Sequence, residues 1–160
     1  MSDFVTIILA AGKGTRMKSA LPKVLHKAGG KAMVQQVLDA AKDAGAKRQI
    51  VVTGFGGERV REALEALKVK AEFVTQEQQL GTGHAVKMTA PLLKDEQGTV
   101  MVLCGDTPLL TSELLKKLFD EHVAAKAKAT VLTAVMPDAT GYGRIIRKAD
   151  GSVEKIVEHK

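Results

Sequence analysis

The fold is decided near the N-terminus by the stretch Phe4–Met17, which reads FVTIILAAGKGTRM. Its first half is an unbroken apolar run, typical of a strand that is buried on both faces of a parallel sheet. Its second half is a loop of small and basic residues, in which Gly12 and Gly14 leave the backbone amides uncovered. A buried strand that ends in such a loop predicts the first unit of an α/β sheet.

Downstream of this stretch, apolar runs alternate with segments of helical period. We expect strands at 4–10, 49–53, 71–74, 99–103 and 130–136, and helices at 31–44, 58–67, 84–93 and 111–126. Two further strands, 144–147 and 152–157, are joined through the turn pair Asp150-Gly151. This order predicts an α/β fold with a doubly wound, mostly parallel sheet, formed by a single domain over residues 1–160.

The composition is that of a soluble globular domain: 45% of the 160 residues are hydrophobic and 26% are charged. The longest apolar runs have about half a dozen residues, whereas a membrane span needs roughly 18 to 20. The N-terminus lacks the pattern of a secretory signal, and the single cysteine, Cys104, rules out an internal disulfide framework. We therefore expect a cytoplasmic protein with no membrane partner.

The formal charge of +6 raises the question of nucleic-acid binding. The basic residues are interspersed with acidic ones, as in Lys42-Asp43 and Glu58-Arg59, and only 3% of the residues are aromatic, which leaves few rings for base stacking. These features favour a solvated charged surface, and we expect no nucleic-acid partner.

The loop that follows the first strand predicts a polyphosphate ligand. Small residues let a phosphate chain approach the backbone amides, and Lys13, Arg16 and Lys23 bring positive charge to the same region. The loop is not a Walker A motif, and it lacks the third glycine of the dinucleotide fingerprint because Met17 occupies that place. A tight turn with solvated charges is the structural alternative.

Two more unusual loops follow later strands, and parallel sheets bind ligands at the carboxyl ends of their strands. In the first, Gln76 offers a donor and an acceptor for the edge of a pyrimidine, and Gly81 lets the chain bend near a ligand. In the second, Asp106 is placed to hold Mg²⁺ against phosphate oxygens. A helix entry capped by Thr82 and a turn-forming aspartate are the structural alternatives. Cys104 suits packing better than nucleophilic catalysis.

Five motifs together carry a resemblance to a known family: 9–17 with Pro22-Lys23, then 81–85 (GTGHA), 105–109 (GDTPL), 140–145 (TGYGRI) and 157–160 (VEHK). In this order they resemble the bifunctional N-acetylglucosamine-1-phosphate uridylyltransferase/glucosamine-1-phosphate acetyltransferases, and the match runs along the whole chain. The first motif is shared by many sugar-1-phosphate nucleotidyltransferases, whereas the second and fifth narrow the match. The resemblance implies a Rossmann-like, GT-A-like nucleotidyltransferase domain.

The resemblance also implies a role for individual residues. Arg16 and Lys23 would face the phosphates as catalytic residues, and Asp106 would be the Mg²⁺ ligand. Cys104 would contribute only a backbone contact. Gly143 and Glu158 would contact the N-acetylglucosamine moiety. The full set of substrate-binding residues for UTP and the UDP-sugar would be Leu9, Ala10, Ala11, Gly12, Lys13, Lys23, Gln76, Gly81, Thr82, Cys104, Gly105, Asp106, Gly143 and Glu158.

The implied reaction transfers a uridylyl group from UTP to N-acetylglucosamine 1-phosphate with Mg²⁺, and gives UDP-N-acetylglucosamine and pyrophosphate for cell-envelope precursor synthesis. Members of this family continue beyond Lys160 with a sugar-binding Asn, a second Mg²⁺-binding Asp, the rest of the sheet and a trimerising β-helix acetyltransferase domain. We therefore expect a domain that is incomplete at its C-terminus, has an exposed sheet edge and shows weak or no turnover. Another sugar-1-phosphate nucleotidyltransferase and a non-catalytic nucleotide-sugar-binding module are the alternatives.

Overall fold

A computed structural model describes residues 4–158 of the chain. Two compact units are present, one up to Asp120 and one from Glu121 onwards. The strands are β1 (Phe4–Ala10), β2 (Lys27–Ala28), β3 (Lys31–Ala32), β4 (Ala46–Thr53), β5 (Glu72–Thr75), β6 (Thr99–Cys104), β7 (Arg144–Arg147) and β8 (Val153–Val157). The helices are α1 (Met33–Asp43), α2 (Gly57–Ala66), α3 (Thr82–Lys87), α4 (Ala90–Leu93) and α5 (Ser112–Ala124).

The first unit is built on a four-stranded sheet in the order β5-β4-β1-β6, and all its strand pairs are parallel. From β1 the chain proceeds outward through β4 and β5, and then returns to place β6 on the other side of β1. The direction of winding therefore reverses between β1 and β6, and such a point opens a crevice at the carboxyl ends of the strands. The predicted α/β fold with a parallel sheet is confirmed.

Helices cover both faces of this sheet because β1 and β4 are apolar on both sides. On one face, Ile8 and Val51 belong to a core with residues of α1, α2 and α5, and Phe4 stacks on Phe119 of α5 with ring centroids 4.9 Å apart. On the other face, Ile7 packs in a smaller cluster with residues of α3. Burial on both faces explains the unbroken apolar run from which the fold was predicted.

The predicted helix at 84–93 is wrong in its continuity, because the chain forms α3 and α4 with a break at Met88 and Thr89. Pro91 lies in the first turn of α4. A proline has no backbone N–H to donate and its ring clashes with the preceding turn, which disfavours one continuous helix through this position.

The strand predicted at 130–136 is also wrong, since no strand is formed there. Its apolar side chains are largely exposed: Val131 is 47% exposed and Val135 is fully exposed. β-branched residues favour a strand only when a neighbouring strand satisfies the backbone hydrogen bonds. Among the described strands none pairs with this segment.

The second unit contains an antiparallel hairpin of β7 and β8, as the sequence predicted. The turn between the strands is held by Asp150, whose carboxylate accepts hydrogen bonds from the backbone N–H and the hydroxyl of Ser152 at 2.9 and 2.6 Å. These two bonds stabilise the ionised carboxylate and lower the pKa of Asp150.

In the first unit, β6 is an edge strand, and Val100 and Val102 are 38% and 43% exposed. None of the helices in residues 4–158 has the length and apolar character needed to cross a membrane.

Gly54 lies where β4 ends, against the loop that follows β1. A Cβ atom at Gly54 would lie 2.8 Å from the carbonyl oxygen of Ala11 and 3.1 Å from its Cα. Because both atoms belong to the backbone, we expect Gly54→Ala to lower the free energy of unfolding by about 1 to 3 kcal/mol, as overpacking does elsewhere. Gly83→Ala is the control, since a Cβ there meets no atom within 4 Å. Urea titrations that show equal stability for the two variants would contradict this account.

Candidate functional site

The loops that follow β1 and β5 enclose a cleft at the carboxyl edge of the sheet. Its volume is about 280 Å³, close to the lower limit for small-molecule sites, about 300 Å³. The cleft is lined by Leu9, Ala11, Gly12, Gln76, Gln79, Gly81, Thr82 and Ala85. Six of these eight residues were predicted from the sequence as substrate-binding residues, and the fold brings them together although they belong to segments about 65 positions apart.

The loop after β1 depends on a glycine at position 14. Gly14 has φ +59°, a left-handed backbone conformation that residues with a side chain rarely adopt. A Cβ at this position would lie 2.7 Å from Cβ of Lys23. The short helical turn Thr15–Met17 follows, with the Met17 N–H bonded to the Gly14 carbonyl at 2.8 Å. Gly14 thus reverses the chain and leaves room for the stem of Lys23.

Lys23 and Asp106 form an ion pair, and Asp106 lies two residues beyond the carboxyl end of β6. The Lys23 ammonium nitrogen lies 2.5 Å from Oδ2 of Asp106, and both side chains are about one third exposed, at 35% and 31%. The Gly105 N–H donates to the Leu9 carbonyl at 2.9 Å, so the loop that carries Asp106 is attached to the wall of the cleft. The predicted phosphate-binding lysine and the predicted metal ligand therefore lie side by side.

Gln76 is the most deeply buried polar residue of the cleft, with 4% of its surface exposed. Its amide nitrogen donates to the Gly81 carbonyl at 3.1 Å and lies 2.9 Å from Nδ1 of His84. Gly81 has φ +98°, which favours glycine, and α3 begins at the next residue. Thr82 does not cap this helix with its side chain, so that structural alternative for the motif does not apply.

Gln79 also lines the cleft, although the sequence analysis assigned it no role. Its amide nitrogen donates to the Ala11 carbonyl at 2.8 Å, which joins the loop after β5 to the loop after β1. Gln76, Gln78 and Gln79 lie close together in the sequence, and only the backbone conformation decides which of them reaches Ala11.

We expect Gln79→Ala to free the Ala11 carbonyl and to weaken ligand binding in the cleft by about three- to tenfold, the typical value of one neutral hydrogen bond. Gln78→Ala is the matched control, because Gln78 is exposed and its side chain forms no hydrogen bond within the described residues. Titration of both variants with the same nucleotide is the measurement. An equal loss of affinity in the two would show that the Gln79 contact does not shape the cleft.

Lys13, Arg16 and Cys104 are not among the residues that line the cleft. Lys13 and Arg16 are exposed, and neither forms an ion pair within residues 4–158. Partial desolvation and the Asp106 carboxylate raise the pKa of Cys104, whereas Lys23 lowers it. The net increase keeps the thiol protonated and unsuited to nucleophilic attack.

Gly143 and Glu158 belong to the second unit, where they are neighbours. A Cβ at Gly143 would lie 3.4 Å from the Glu158 carboxylate, so a larger residue would crowd that carboxylate. His159 and Lys160, the last residues of the fifth motif, lie outside the described residues.

Asp106 is the candidate for divalent-metal binding. Across residues 4–158 no group of three or more His, Cys, Asp or Glu side chains could hold a metal ion. Asp106 itself supplies a hard carboxylate oxygen, which fits an ion that takes one protein ligand and completes its coordination with water and substrate phosphates. Mg²⁺ is often bound in this way, and the Lys23 ammonium beside Asp106 marks a place that accepts positive charge.

Comparisons with known proteins bear on the family and the fold of this chain. The sequence profile of the MobA-like NTP transferase domain matches residues 6–144. The bifunctional protein GlmU of Exiguobacterium sibiricum is 57% identical over 154 residues, which are 96% of this chain and 34% of that protein. The chain thus spans about one third of the length of such relatives, and the resemblance seen in the motifs is confirmed.

Solved structures share the fold. UDP-glucose pyrophosphorylase from Acinetobacter baumanii superposes with a TM-score of 0.77 at 21% identity, over 99% of this chain and 68% of that one. Rv0371c from Mycobacterium tuberculosis, solved in complex with manganese, superposes with a TM-score of 0.58 at 24% identity, over 78% of this chain and 61% of that one.

Proposed function

This chain belongs to the MobA-like NTP transferase domain family, and from that premise we propose that it binds a nucleoside triphosphate in the cleft and serves transfer of the nucleotidyl group to a sugar 1-phosphate. The observation that carries the proposal is the Lys23–Asp106 pair, held beside the cleft by the bond from Gly105 to Leu9. The Lys23 ammonium at this place would neutralise charge on a phosphate chain during the reaction, and the Asp106 carboxylate would do so through a bound cation.

We propose UTP as the nucleotide and N-acetylglucosamine 1-phosphate as the acceptor. A buried amide at Gln76, bonded to the Gly81 carbonyl, supports a pyrimidine base in the cleft. The acceptor is proposed from the resemblance to the GlmU proteins, which extends along the chain at over 50% identity. The products would be UDP-N-acetylglucosamine and pyrophosphate.

The reaction needs no protein nucleophile, since a phosphate oxygen of the sugar phosphate attacks the α-phosphorus of UTP and pyrophosphate leaves. The uncovered amides of Ala11 and Gly12 would hold the phosphates close to the sheet edge. Lys23 would neutralise charge at the α-phosphate, and Arg16, exposed in its short helical turn, would neutralise the departing pyrophosphate with help from Lys13. Catalysis of this kind consists of positioning and charge stabilisation.

We propose Mg²⁺ as the cofactor, held by Asp106. When bound, it would supply a Lewis acid for the phosphate oxygens. A single protein carboxylate makes such a site depend on the nucleotide, because the phosphates must provide further ligands.

Calorimetric titration of this chain with UTP, CTP, ATP and GTP, each with and without Mg²⁺, tests the proposal. We expect UTP to bind most tightly and Mg²⁺ to strengthen its binding. Equal binding of all four nucleotides that disappears steeply with added salt would instead indicate a general attraction of the basic surface for polyanions, and would contradict a built nucleotide site.

A further inference from the structure

The side-chain amide of Gln76 is held in one orientation by two neighbours. The Gly81 carbonyl can only accept a hydrogen bond, so the atom 3.1 Å away must be the amide nitrogen of Gln76 and not its oxygen. The second N–H of the same nitrogen points to Nδ1 of His84, at 2.9 Å. Nδ1 must then accept, which places the proton of a neutral His84 on Nε2.

With both N–H groups engaged, Gln76 has only its oxygen left to offer a ligand. This oxygen takes no hydrogen bond from the described residues. It is also not sealed from solvent, since the one buried side-chain nitrogen or oxygen without a partner in residues 4–158 is Nε2 of His26. A residue that is 96% buried by its neighbours therefore presents an acceptor to the cleft that it lines.

A second lining residue supplies a donor. Gly81 lines the cleft as well, and its backbone N–H donates to no atom of the described residues. The residues that line the cleft thus include an acceptor at Gln76 and a donor at Gly81. Uracil presents the complementary pair, an N–H at position 3 beside a carbonyl at position 4. Cytosine presents the reverse arrangement, an acceptor at position 3 beside an amino group at position 4. Its acceptor would then face the acceptor of Gln76, and its amino donor would face the donor of Gly81.

We propose that His84 is a positioning residue that holds the Gln76 amide with its oxygen towards the base, so that the cleft accepts uracil and rejects cytosine. This inference rests on the proposed function, because it specifies how the same cleft selects its nucleotide. His84 itself need not touch the ligand. His84 accepts a hydrogen bond from the second N–H of Gln76. Without this bond, the Gln76 amide group would be free to turn an N–H towards a cytosine.

A purely structural role for His84 predicts a different outcome. His84 lies in the first turn of α3 and is partly buried. If it only stabilised this helix, its replacement would lower thermal stability and weaken every ligand of the cleft alike. A change in the preference between two bases, measured at equal phosphate content, separates the two roles.

The test compares the affinities of UMP and CMP for the wild-type chain and three variants. His84→Leu removes the acceptor, and we expect the UMP-to-CMP affinity ratio to fall by about three- to tenfold, the value of one hydrogen bond. His84→Asn can return an acceptor through its side-chain oxygen, and we expect it to restore the ratio to within about twofold of wild type. His122→Leu removes a histidine from the second unit and should leave the ratio unchanged.

An unchanged ratio in His84→Leu, with folding verified by its circular dichroism spectrum, would overturn the role of His84 and leave the proposed function standing. Should His84→Leu fail to fold, a ratio in His84→Asn that falls as far as the loss of one hydrogen bond, about three- to tenfold, would overturn the inference. Absence of UMP and CMP binding in the wild-type chain at millimolar concentration would overturn both this inference and the proposed function.

Discussion

Lys23→Ala is expected to weaken the binding of UTP by about tenfold to a hundredfold, since a hydrogen bond from a charged group contributes about 1.5 to 3 kcal/mol. The change withdraws the ammonium group from the phosphates and leaves Asp106 as an unpaired carboxylate beside them. The remaining negative charge repels the ligand, which places the loss towards the upper end of this range. Isothermal titration with UTP is the measurement.

Two controls separate this local effect from the loss of one positive charge. Lys27→Ala removes the same charge from an exposed position on β2 and should change UTP affinity by less than about twofold, as surface charges usually do. Uridine, which carries no phosphate, should bind Lys23→Ala and wild type equally. Retention of wild-type UTP affinity in Lys23→Ala would show that the nucleotide phosphates lie elsewhere.

Asp106→Asn is expected to abolish the gain in UTP affinity that Mg²⁺ gives to the wild-type chain. The amide keeps the shape of the side chain but removes the charged oxygen that would hold the ion. Without Mg²⁺ the same change should strengthen UTP binding, because Lys23 loses its partner and becomes free to contact phosphate. The variant should therefore bind UTP more tightly than the wild-type chain without Mg²⁺ and less tightly with Mg²⁺.

Titrations with UTP in Mg²⁺ and in chelator measure both effects. Asp95→Asn is the matched control, since Asp95 is exposed and forms no ion pair within the described residues. We expect this control to retain the full response to Mg²⁺. A full response in Asp106→Asn would remove this carboxylate from the metal site and place the ion on the phosphates alone.

The core of the fold could be predicted from the sequence because its strands are buried on both faces. The apolar run of β1, followed by a helix and a second buried run, is typical of a buried parallel strand. The positions of the loops after β1 and β6 followed from the same pattern, since parallel strands bring their carboxyl ends to one edge. Both predictions depend on local sequence alone.

Two element predictions failed, one because it depends on contacts made far along the chain and the other because a local signal was outweighed. The apolar run at 130–136 has strand character, but strand formation also needs a partner, which local sequence cannot supply. The break between α3 and α4 was visible in principle at Pro91. The helical spacing of the apolar residues outweighed it in the prediction, although a proline in a helix interior costs about 3 kcal/mol.

The candidate site, too, could be predicted from the sequence only in part. Glycines and cations marked its loops, so Gly12, Gly81, Lys23 and Asp106 could be found by residue type. The contacts that orient the site could not, because they join side chains whose directions the backbone sets. Gln79 reaches Ala11 and His84 reaches Gln76 only in the folded chain.

The most direct test of the central claim is a titration of the isotopically labelled chain with UTP in Mg²⁺, followed through its backbone amide NMR signals. We expect saturable shifts concentrated at Ala11, Gly12, Gly81, Thr82 and Gly105, and weaker shifts with ATP at the same concentration. Shifts that fail to saturate, or that spread over the exposed basic residues equally for both nucleotides, would contradict a uridine-nucleotide site at this edge of the sheet.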